Sequence, residues 1–506
     1  MTDNILSLPE ELRIQIMAEL DGRSLIHCAM TCKLLYETLC NSALLEYHIQ
    51  LHFDGLEDGG TSTSTTIPEN IGHLLQRRDA WFTQTWVDPV YTSGPGSKYR
   101  NYHDSYRLGG GAFASTNWNH LEIVWLPTTS NIEGRRIEHD LFATPIMTYG
   151  MDPTQDVIAM LENVYRVPMS QDRYVRVVSV YIRTLSGNTP HPLASRSILQ
   201  FTDVGTNSLG DGIHKPKLEI SHNTVVLWTS DYAPRVLIWD WKTGELLTDV
   251  SFIAPRMNPP DIHDFSLLGS SDFAVMTRPF GCGSIELYKF VKHPLHGTAI
   301  HLATLSLPPL AHDALLNNLS ITAYTNPIHA HPSPHKPFMD TGHRRIVMVM
   351  MHVHQRIFMK YCACGGGGDK AAVDVPWEEW GPSNTAIEIS NNMLGMRSSH
   401  GQRAICLPTD IQFTSYHEPF IQLEIRDFSL SGVLPAQDAQ PIVSLGNYKP
   451  YGVLVESNTI RISEVPIFKN DVEGKLPFVL YCLKFKEVYS TMMICEEGVV
   501  GIIVRF

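Results

Sequence analysis

Apolar residues recur with helical spacing at the start of the chain. The first stripe has one apolar residue every four positions, at Leu8, Leu12, Ile16 and Leu20. This period places the stripe on one face of a helix of three to four turns. Ser7 and Glu10 have the spacing of a capping box, and Pro9 falls in the first turn, where its missing N–H costs little. The pattern therefore predicts a first helix with Ser7 as its N-cap.

A second and a third helix follow in the same stretch. Asp21-Gly22 interrupts the first helix, and the Asp21 side chain is suited to cap the next one. The second stripe has i, i+3, i+4, i+7 spacing and consists of Leu25, Cys28, Ala29 and Cys32. Leu35 and Leu39 indicate the third helix. Because a unit of roughly fifty residues buries too little surface to be stable alone, the pattern predicts that residues 4–50 complete their core against a partner.

Residues 51–90 join this helical unit to the rest of the chain. Residues 51–70 are rich in Gly, Ser, Thr and acidic side chains, and this composition predicts a flexible linker. Residues 71–90 have apolar side chains at helical spacing, including Leu74, Leu75 and Trp81. We therefore expect a connector helix, which either joins the helical unit rigidly to the next domain or simply contributes to a core.

Residues 100–506 have a different pattern, in which short β-rich runs alternate with turn residues. In the clearest unit, residues 224–228 pair with residues 236–241, and the turn Lys242-Thr243-Gly244 follows. Four such units can be aligned through one residue in the second strand of each, at Ile123, Ile182, Ile238 and Leu287. These residues are separated by 59, 56 and 49 positions. Spacing near fifty residues predicts a β-propeller of seven or eight blades. Two stacked β domains or a sandwich are the alternative.

The other segments of this region predict a closing strand, two loops and a strand entry. The apolar residues 499–506 need a pairing partner, which in a propeller is the blade begun by the first strand. Residues 325–337 are rich in Pro and His, and residues 361–374 contain four consecutive glycines, so both are predicted loops. The triplet Gly109-Gly110-Gly111 precedes an apolar run and is interpreted as the entry to a strand, because it opens no helix that would bind phosphate.

Composition and charge restrict the class of protein. Hydrophobic residues make up 43% and charged residues 18% of the 506 residues, the balance of a soluble globular protein. The net charge of -13, without a Lys/Arg stripe, disfavours nucleic-acid binding. The longest apolar run, residues 346–351, is too short to span a membrane, and the start of the chain lacks a basic signal-peptide region. Nine cysteines without framework spacing favour reduced thiols and a cytoplasmic or nuclear location.

Few residues suggest covalent or metal chemistry. Zinc-ligand types cluster in one part of the chain, at His329, His331, His335, His352, His354, Cys362 and Cys364. They include no paired-cysteine motif, so exposed loop histidines are the favoured interpretation and no metal site is assigned. Cys28 and Cys32 lie one helical turn apart and are interpreted as core thiols rather than a redox pair. No catalytic motif is present, so no catalytic residue, cofactor or enzyme activity is predicted.

The N-terminal pattern resembles a known family. The run LPEELRIQIMAELDGRSLIHCAMTCKLLYETL is similar to the F-box, which has a Leu-Pro pair, spaced apolar residues, an Asp/Ser turn and a Cys-containing helix. Residues 44–47 depart from it, because many F-boxes have a Leu-Trp pair there. The resemblance implies that a Skp-type adaptor packs on Leu8, Pro9, Leu12, Ile16, Leu20, Leu25, Cys28, Ala29 and Cys32.

Two weaker resemblances concern the rest of the chain. The connector resembles the helix that follows the F-box in large F-box proteins of mushroom-forming fungi. The segment VLIWDWKTGEL resembles the end of a WD-type propeller strand and its turn. Together the patterns predict an α+β multidomain protein, with a three-helix F-box followed by a large all-β, propeller-like domain.

The resemblance implies the substrate-recognition subunit of a Skp–cullin–F-box ubiquitin ligase. The F-box would dock on the adaptor, and through it on a cullin–RING ligase, while the β domain would bind an unknown target protein. The alternative is a non-catalytic interaction scaffold that acts outside the ligase, and a propeller enzyme with a helical appendix is a third reading. Adaptor binding separates the third reading from the first two, and cullin assembly separates the first from the second.

Overall fold

The fold is that of a computed structural model of the 506-residue chain. The structure describes residues 5–58, 66–83, 105–117, 120–126, 135–140, 146–162, 165–168, 173–206, 216–229, 235–251, 261–278, 283–290, 299–309, 323–324, 338–340, 346–349, 351–364, 372–387, 399–406, 421–429, 453–460, 468–485, 491–495 and 498–502. A helical N-terminal unit precedes a large all-β domain, as the sequence predicted.

Four α-helices, rather than three, make up the N-terminal unit. After a 3-10 turn at Ile5–Ser7 they are α1 (Glu10–Ala18), α2 (Gly22–Ala29), α3 (Lys33–Asn41) and α4 (Ala43–Asp54). The predicted capping box is wrong, because Ser7 belongs to the 3-10 turn and α1 has Pro9 as its N-cap, without a side-chain cap bond. The predicted cap of α2 is confirmed: the Asp21 carboxylate accepts hydrogen bonds of 3.0 Å from the N–H groups of Arg23 and Ser24.

The first part of the expected linker, residues 51–58, belongs to regular structure. α4 continues through Asp54 and ends at Gly55, whose φ of 69° is the left-handed conformation that glycine adopts readily. Strand β1 (Leu56–Asp58) follows. Composition suggested a flexible segment because Gly and acidic residues are common both in linkers and at the ends of helices.

The connector helix, α5 (Ile67–Thr83), begins earlier than the predicted residue 71. Its start is a capping box that the composition of the segment concealed. The Glu69 carboxylate accepts hydrogen bonds from the Thr66 N–H at 2.6 Å and from the Thr66 hydroxyl at 2.9 Å. The remaining parts of the two predicted segments, residues 59–65 and 84–90, lie outside the described residues.

Four antiparallel sheets follow one another along the chain. The first blade contains β2 (Ser105–Gly109), β3 (Ala112–Asn117), β4 (His120–Trp125) and β5 (Arg136–Asp140). The second contains β6 (Ile146–Asp152), β7 (Val157–Glu162), β8 (Tyr165–Pro168), β9 (Arg173–Thr184) and β10 (Ile198–Thr206). The third contains β11 (Lys217–Ser221), β12 (Thr224–Thr229), β13 (Arg235–Asp240) and β14 (Glu245–Ser251). The fourth contains β15 (Asp261–Leu267), β16 (Asp272–Arg278), β17 (Ser284–Phe290) and β18 (Ala299–Ser306).

Shorter elements follow the fourth blade. In chain order they are β19 (Ala323–Tyr324), β20 (Phe338–Asp340), β21 (Ile346–Val349), β22 (Met351–His354), α6 (Arg356–Cys364), β23 (Val373–Val375), α7 (Trp377–Trp380), β24 (Thr385–Ile387), β25 (Ser399–His400), β26 (Arg403–Cys406), β27 (Ile421–Asp427), β28 (Val453–Val455), β29 (Asn458–Ile460), β30 (Val472–Gly474), β31 (Phe478–Phe485), β32 (Thr491–Ile494) and β33 (Val499–Ile502). The fifth blade consists of β25, β26, β27, β31 and β28. A short-strand sheet combines β19, β21, β22 and β24, and a terminal sheet pairs β32 with β33.

The predicted strand pairs of the first four blades are present. β3 pairs with β4, β7 with β9, β12 with β13, and β16 with β17. The four residues used to align the repeat, Ile123, Ile182, Ile238 and Leu287, all lie in the third long strand of their blade and are fully buried. Complete burial of these four positions explains why the apolar run around them was the strongest repeating signal.

The predicted number of seven or eight blades is wrong. Within the described residues, five sheets have at least four antiparallel strands of three or more residues, and they are the blades of a five-bladed, propeller-like ring. The regular repeat ends with β18 at Ser306. Beyond it, strands are mostly two to four residues long and two helices intervene, so the spacing of the first four blades does not extrapolate.

Neighbouring sheets share hydrophobic cores around the ring. The first, second, third and fourth blades pack successively on one another around Tyr149, Trp239 and Phe273. The short-strand sheet packs between the fourth and fifth blades. The terminal sheet contacts the fifth blade through Ile494 and the first blade through Met493. Because adjacent residues of a strand point to opposite faces, this one strand closes the ring.

Three smaller predictions have different outcomes. The final strand, β33, pairs with β32 rather than with the first blade, and among the described residues Val500 packs against the cluster that contains Leu108 and Phe113 of the first blade. Gly110 and Gly111 form the β2–β3 turn with φ of 56° and 73°, and β3 begins at the next residue, so the predicted strand entry is confirmed and forms part of a hairpin turn. Residues 361–364, expected in a loop, form the last turn of α6, and residues 325–337 lie outside the described residues.

Candidate protein-binding surface of the N-terminal helices

The four N-terminal helices have a small core of their own. Met17, Leu25, Leu35 and Leu45, one residue from each helix, are 5% exposed or less and pack together. Leu20, Cys28, Cys32 and Leu39 pack against this cluster while half-buried. α4, which the sequence did not assign as a fourth helix of the unit, supplies the cover that three helices lack.

The structure divides the nine residues predicted to bind an adaptor. Leu25 and Ala29 are 0% and 5% exposed and belong to the internal core of the four helices, so their contact with an adaptor stays a prediction. The others keep exposed surface, half-buried at Leu8, Leu20, Cys28 and Cys32, and exposed at Pro9, Leu12 and Ile16. An apolar stripe shows which side chains share a helix face, but it does not show how much of that face neighbouring helices cover.

Two apolar side chains of α1 are exposed on the same side of the helix, and a third is exposed in the turn before it. Leu12 and Ile16, four residues apart on α1, are 44% and 43% exposed, and Leu6 in the preceding turn is 38% exposed. We call these three residues the α1 face. Met30 and Tyr36, at the end of α2 and in α3, are 76% and 57% exposed, and neither falls on a stripe that the sequence identified. Exposed large apolar side chains on so small a helical unit are candidates for contact with another protein.

Arg13 fixes the position of the α1 face relative to the other helices. Its Nη1 donates a hydrogen bond of 2.9 Å to the Leu8 carbonyl oxygen, and its Nε donates one of 3.3 Å to the Thr38 hydroxyl in α3. The first bond connects α1 to the turn that carries Leu6, and the second connects it to α3. The face is therefore held in a defined shape before any partner binds.

Titratable groups of this unit have structural rather than catalytic surroundings. The Ser24 hydroxyl and N–H hold the pKa of the Asp21 carboxyl below its usual value, which fits its role as a helix cap. A hydrogen bond with Cys40, one turn further along α3, raises the pKa of Tyr36. Cys28, Cys32 and Cys40 are free thiols.

α5 packs against α4 through a second small core. Tyr47 and Leu51 of α4 contact Leu56, Ile71 and Leu74, and all five side chains are buried. Polar bonds reinforce this contact: Arg78 pairs with Asp54 at 3.1 Å and donates a hydrogen bond of 2.9 Å to the Gln50 amide oxygen. α5 thus extends the N-terminal helices as one packed unit.

The other end of α5 packs into the β domain. Trp81 is 7% exposed and lies in the apolar cluster that joins the fifth blade to the terminal sheet. The Arg403 guanidinium lies 4.6 Å from the centre of the Trp81 ring and forms an ion pair of 2.9 Å with Asp427. A further link comes from β1, which pairs with β20 in antiparallel register. The connector therefore joins the two domains through specific contacts on both sides.

The described residues contain neither a group of side chains placed to hold a metal nor a helix that could span a membrane. No group of three or more His, Cys, Asp or Glu side chains is arranged to bind a metal in the part of the chain that the structure covers. His352 is fully buried beside the Phe428 ring, and burial raises the pKa of the Cys362 thiol to about 12. His329, His331 and His335 fall outside the described residues. None of the described helices is long and apolar enough to cross a membrane.

Comparison with known proteins identifies the N-terminal unit. The F-box-like family model matches residues 5–49. The unit is an F-box-like domain. This match confirms the predicted F-box protein, with α1 to α4 as the helices of the domain. The predicted likeness to proteins of mushroom-forming fungi and the WD-like repeat remain predictions.

The comparisons say little about the β domain. No curated protein is similar to the chain. Among solved structures, the chain is similar to "Kluyveromyces lactis Hsv2 complete loop 6CD", with 7% identity and a TM-score of 0.26. The similarity covers 39% of this chain and 61% of that one. A likeness of this size carries no argument about function, so the β domain must be interpreted from its own residues.

Proposed function

We propose that this chain is the substrate-recognition subunit of a Skp–cullin–F-box ubiquitin ligase. The observation that supports the proposal is the F-box-like domain at residues 5–49, whose α1 face leaves Leu12 and Ile16 more than two-fifths exposed. F-box domains typically bind a Skp-type adaptor, which links them to a cullin and its RING partner. The α1 face, with Pro9 and the exposed parts of Leu8, Leu20, Cys28 and Cys32, is the proposed adaptor contact.

The β domain takes the second role, target binding, in this proposal. A propeller-like ring presents many loops on a stable framework, which suits recognition of another protein. The chain itself performs no covalent step. It raises the effective concentration of a target lysine near the charged ubiquitin carrier, and that proximity is its contribution to the reaction. Assembly with a cullin–RING ligase places this activity in the cytoplasm or the nucleus.

The first test is the affinity of the purified chain for a Skp-type adaptor, measured by calorimetry. The double variant Leu12→Ala, Ile16→Ala removes two apolar side chains that are about half exposed, and burial of each stabilises a complex by about 1–1.5 kcal/mol. The variant should therefore bind about 30-fold more weakly or worse. Leu75→Ala is the matched control, because Leu75 is also 44% exposed but lies on α5.

Three outcomes of this test are informative. Loss of affinity in the double variant, with the control unchanged, supports the α1 face as the adaptor contact. An unaffected double variant moves the contact to other exposed residues such as Met30 and Tyr36. A folded wild-type chain that binds no adaptor contradicts the proposal. Co-purification of a cullin with the chain and its adaptor then distinguishes a ligase subunit from a scaffold that acts outside the ligase.

A further inference from the structure

The outer edge of the second blade has a groove that is open in the described part of the chain. β10 is the end strand of its sheet and pairs with β9 over nine residues, from Ile198 to Thr206. Next to it, a cavity of about 480 Å3 lies between the second and third blades. Its lining residues include Ile198, which is 38% exposed, and the core residues Leu199 and Trp239, which are each 1% exposed.

The β10 backbone directs hydrogen-bonding groups toward this open edge. The Ser197 carbonyl oxygen accepts a hydrogen bond of 2.8 Å from the Ile182 N–H, so these two residues form a hydrogen-bonded pair. Such pairs alternate along an antiparallel ladder, and the N–H and C=O groups of Ile198, Gln200 and Thr202 therefore point away from β9. An edge strand with this pattern is a template for another extended segment.

The walls of the groove are fixed by contacts between the two blades. The Ser195 N–H donates a hydrogen bond of 2.8 Å to the Lys242 carbonyl oxygen, and the Ser195 hydroxyl donates one of 2.6 Å to the Thr243 carbonyl oxygen. The Arg196 side chain lies across Gly244, where an added Cβ would come within 2.9 Å of Arg196 Cδ. A groove with preformed walls loses little entropy when it binds a ligand.

Two charged side chains of opposite sign border the cavity. Arg196 and Glu245 both line it, both are exposed, and neither forms an ion pair within the described residues. A complementary segment has a large apolar side chain that enters the cavity beside Ile198, with an acidic side chain placed to reach Arg196. Because alternate residues of a strand share a face, the apolar and acidic residues of that segment are expected two positions apart.

The fourth blade contains the same arrangement, formed by the chain itself. β23 adds to the edge strand β18 as a parallel strand, with Ala303, Thr304 and Leu305 opposite residues 373–375. The chain then places Trp377 and Trp380 in the adjacent core, and the Trp380 indole N–H donates a hydrogen bond of 2.8 Å to the Ser306 carbonyl oxygen. A short extended segment followed by large aromatic side chains can therefore cover an outer edge of this ring.

We propose that β10 binds an extended segment of a partner protein as an additional strand. A large apolar side chain of the segment fills the cavity between the second and third blades, and an acidic side chain two residues away pairs with Arg196. The site is separate from the F-box-like domain, so the proposal does not depend on adaptor binding.

Selection from a display library of random ten-residue peptides on the immobilised full chain tests the proposal. We expect enriched sequences with an apolar and an acidic residue two positions apart. The enriched peptides are then synthesised and their affinities for variants of the chain are measured. Gln200→Pro removes an outward N–H without removing a β9–β10 hydrogen bond, so it should lower the affinity for these peptides about tenfold or more. Gln200→Ala is the control that keeps the N–H, and it should bind within about threefold of wild type.

A second variant keeps the test decisive if Gln200→Pro fails to fold. Arg196→Glu changes one exposed side chain and should shift the selected peptides from acidic to basic residues at the paired position. The melting temperature and the adaptor affinity of each variant report whether the chain is folded. Failure of the wild type to enrich any sequence over an unrelated protein overturns the proposal. Equal binding of the enriched peptides to wild type, Gln200→Pro and Arg196→Glu also overturns it.

Discussion

The joint between α5 and the fifth blade gives a prediction that can be worked out from the structure. Trp81→Ala removes a side chain that is 7% exposed and packed among residues of the fifth blade and the terminal sheet. A tryptophan buries about 200 Å2, worth about 5 kcal/mol, and large-to-alanine changes in cores cost about 3–5 kcal/mol. The contact with the Arg403 guanidinium, at 4.6 Å, contributes about 1 kcal/mol of that loss.

Hydrogen exchange measures this loss where it occurs. With about 3 kcal/mol less stabilisation, amides in the last turns of α5 should exchange about 100-fold faster. Amides of α1 to α3 and the affinity for a Skp-type adaptor should not change, because these helices pack in a separate core around Met17 and Leu25. Leu75→Ala, on the exposed side of the same helix, should change exchange by less than about threefold. If the amide exchange rates of α5 in Trp81→Ala stay within threefold of wild type, the contact with α4 is sufficient to stabilise α5. The joint to the β domain then contributes little to its stability.

Three further predictions concern the β domain. Arg403→Met should lower the free energy of unfolding in urea by about 3 kcal/mol, because it leaves the buried Asp427 without its ion pair. Adding Asp427→Asn to the same chain should recover part of that loss. Burial raises the pKa of Glu122 above 4.5. The difference in free energy of unfolding between wild type and Glu122→Gln should therefore favour wild type most below pH 4.5 and fall as the pH rises through the folded-state pKa. A difference that stays constant between about pH 4 and 7 would contradict this. Trp241→Phe removes an indole hydrogen bond of 3.0 Å to the His222 carbonyl oxygen and should lower the melting temperature, by an amount equivalent to about 1–2 kcal/mol.

The sequence predicted the first half of the β domain well because strand pairs there are long and repeated. Six-residue strands such as Thr224–Thr229 and Arg235–Asp240 contain enough apolar positions to identify a pair, and a regular turn joins the latter strand to the next one. After Ser306 most strands have four residues or fewer, which is too short for a period-two pattern to be distinguished from a loop. The blade number was wrong because it depended on the part of the chain with the weakest signal.

Some of the missed elements did have a local signal. Thr66 and Glu69 form a capping box, but the polar composition around them concealed the start of α5. In α6, Ile357 and Tyr361 are four residues apart, as are Phe358 and Cys362, and this spacing is helical. The consecutive glycines that follow α6 led to the interpretation of its last residues as a loop.

The candidate adaptor surface shows a different kind of limit. The F-box resemblance implied that Leu12 and Leu25 belong to the same interface, yet Leu12 is 44% exposed and Leu25 is fully buried. Local periodicity cannot distinguish them, because the difference arises from how α1 to α4 pack on one another. Met30 shows the reverse case. It lies on neither stripe, so the sequence did not single it out, but in the structure it is 76% exposed at the end of α2.

For the proposed receptor role, the packing of α5 matters more than its helical content. A flexible linker of the length predicted at residues 51–70 would let its ends separate by about 25 Å on average and in any direction. Instead, Arg78 binds Asp54 and Gln50 on the F-box side, and Trp81 packs into the fifth blade on the other. The backbone pairing of β1 with β20 adds a third contact. A target held on the ring would therefore keep a set position relative to the adaptor, and the effective concentration of its lysines would depend on where on the ring it binds.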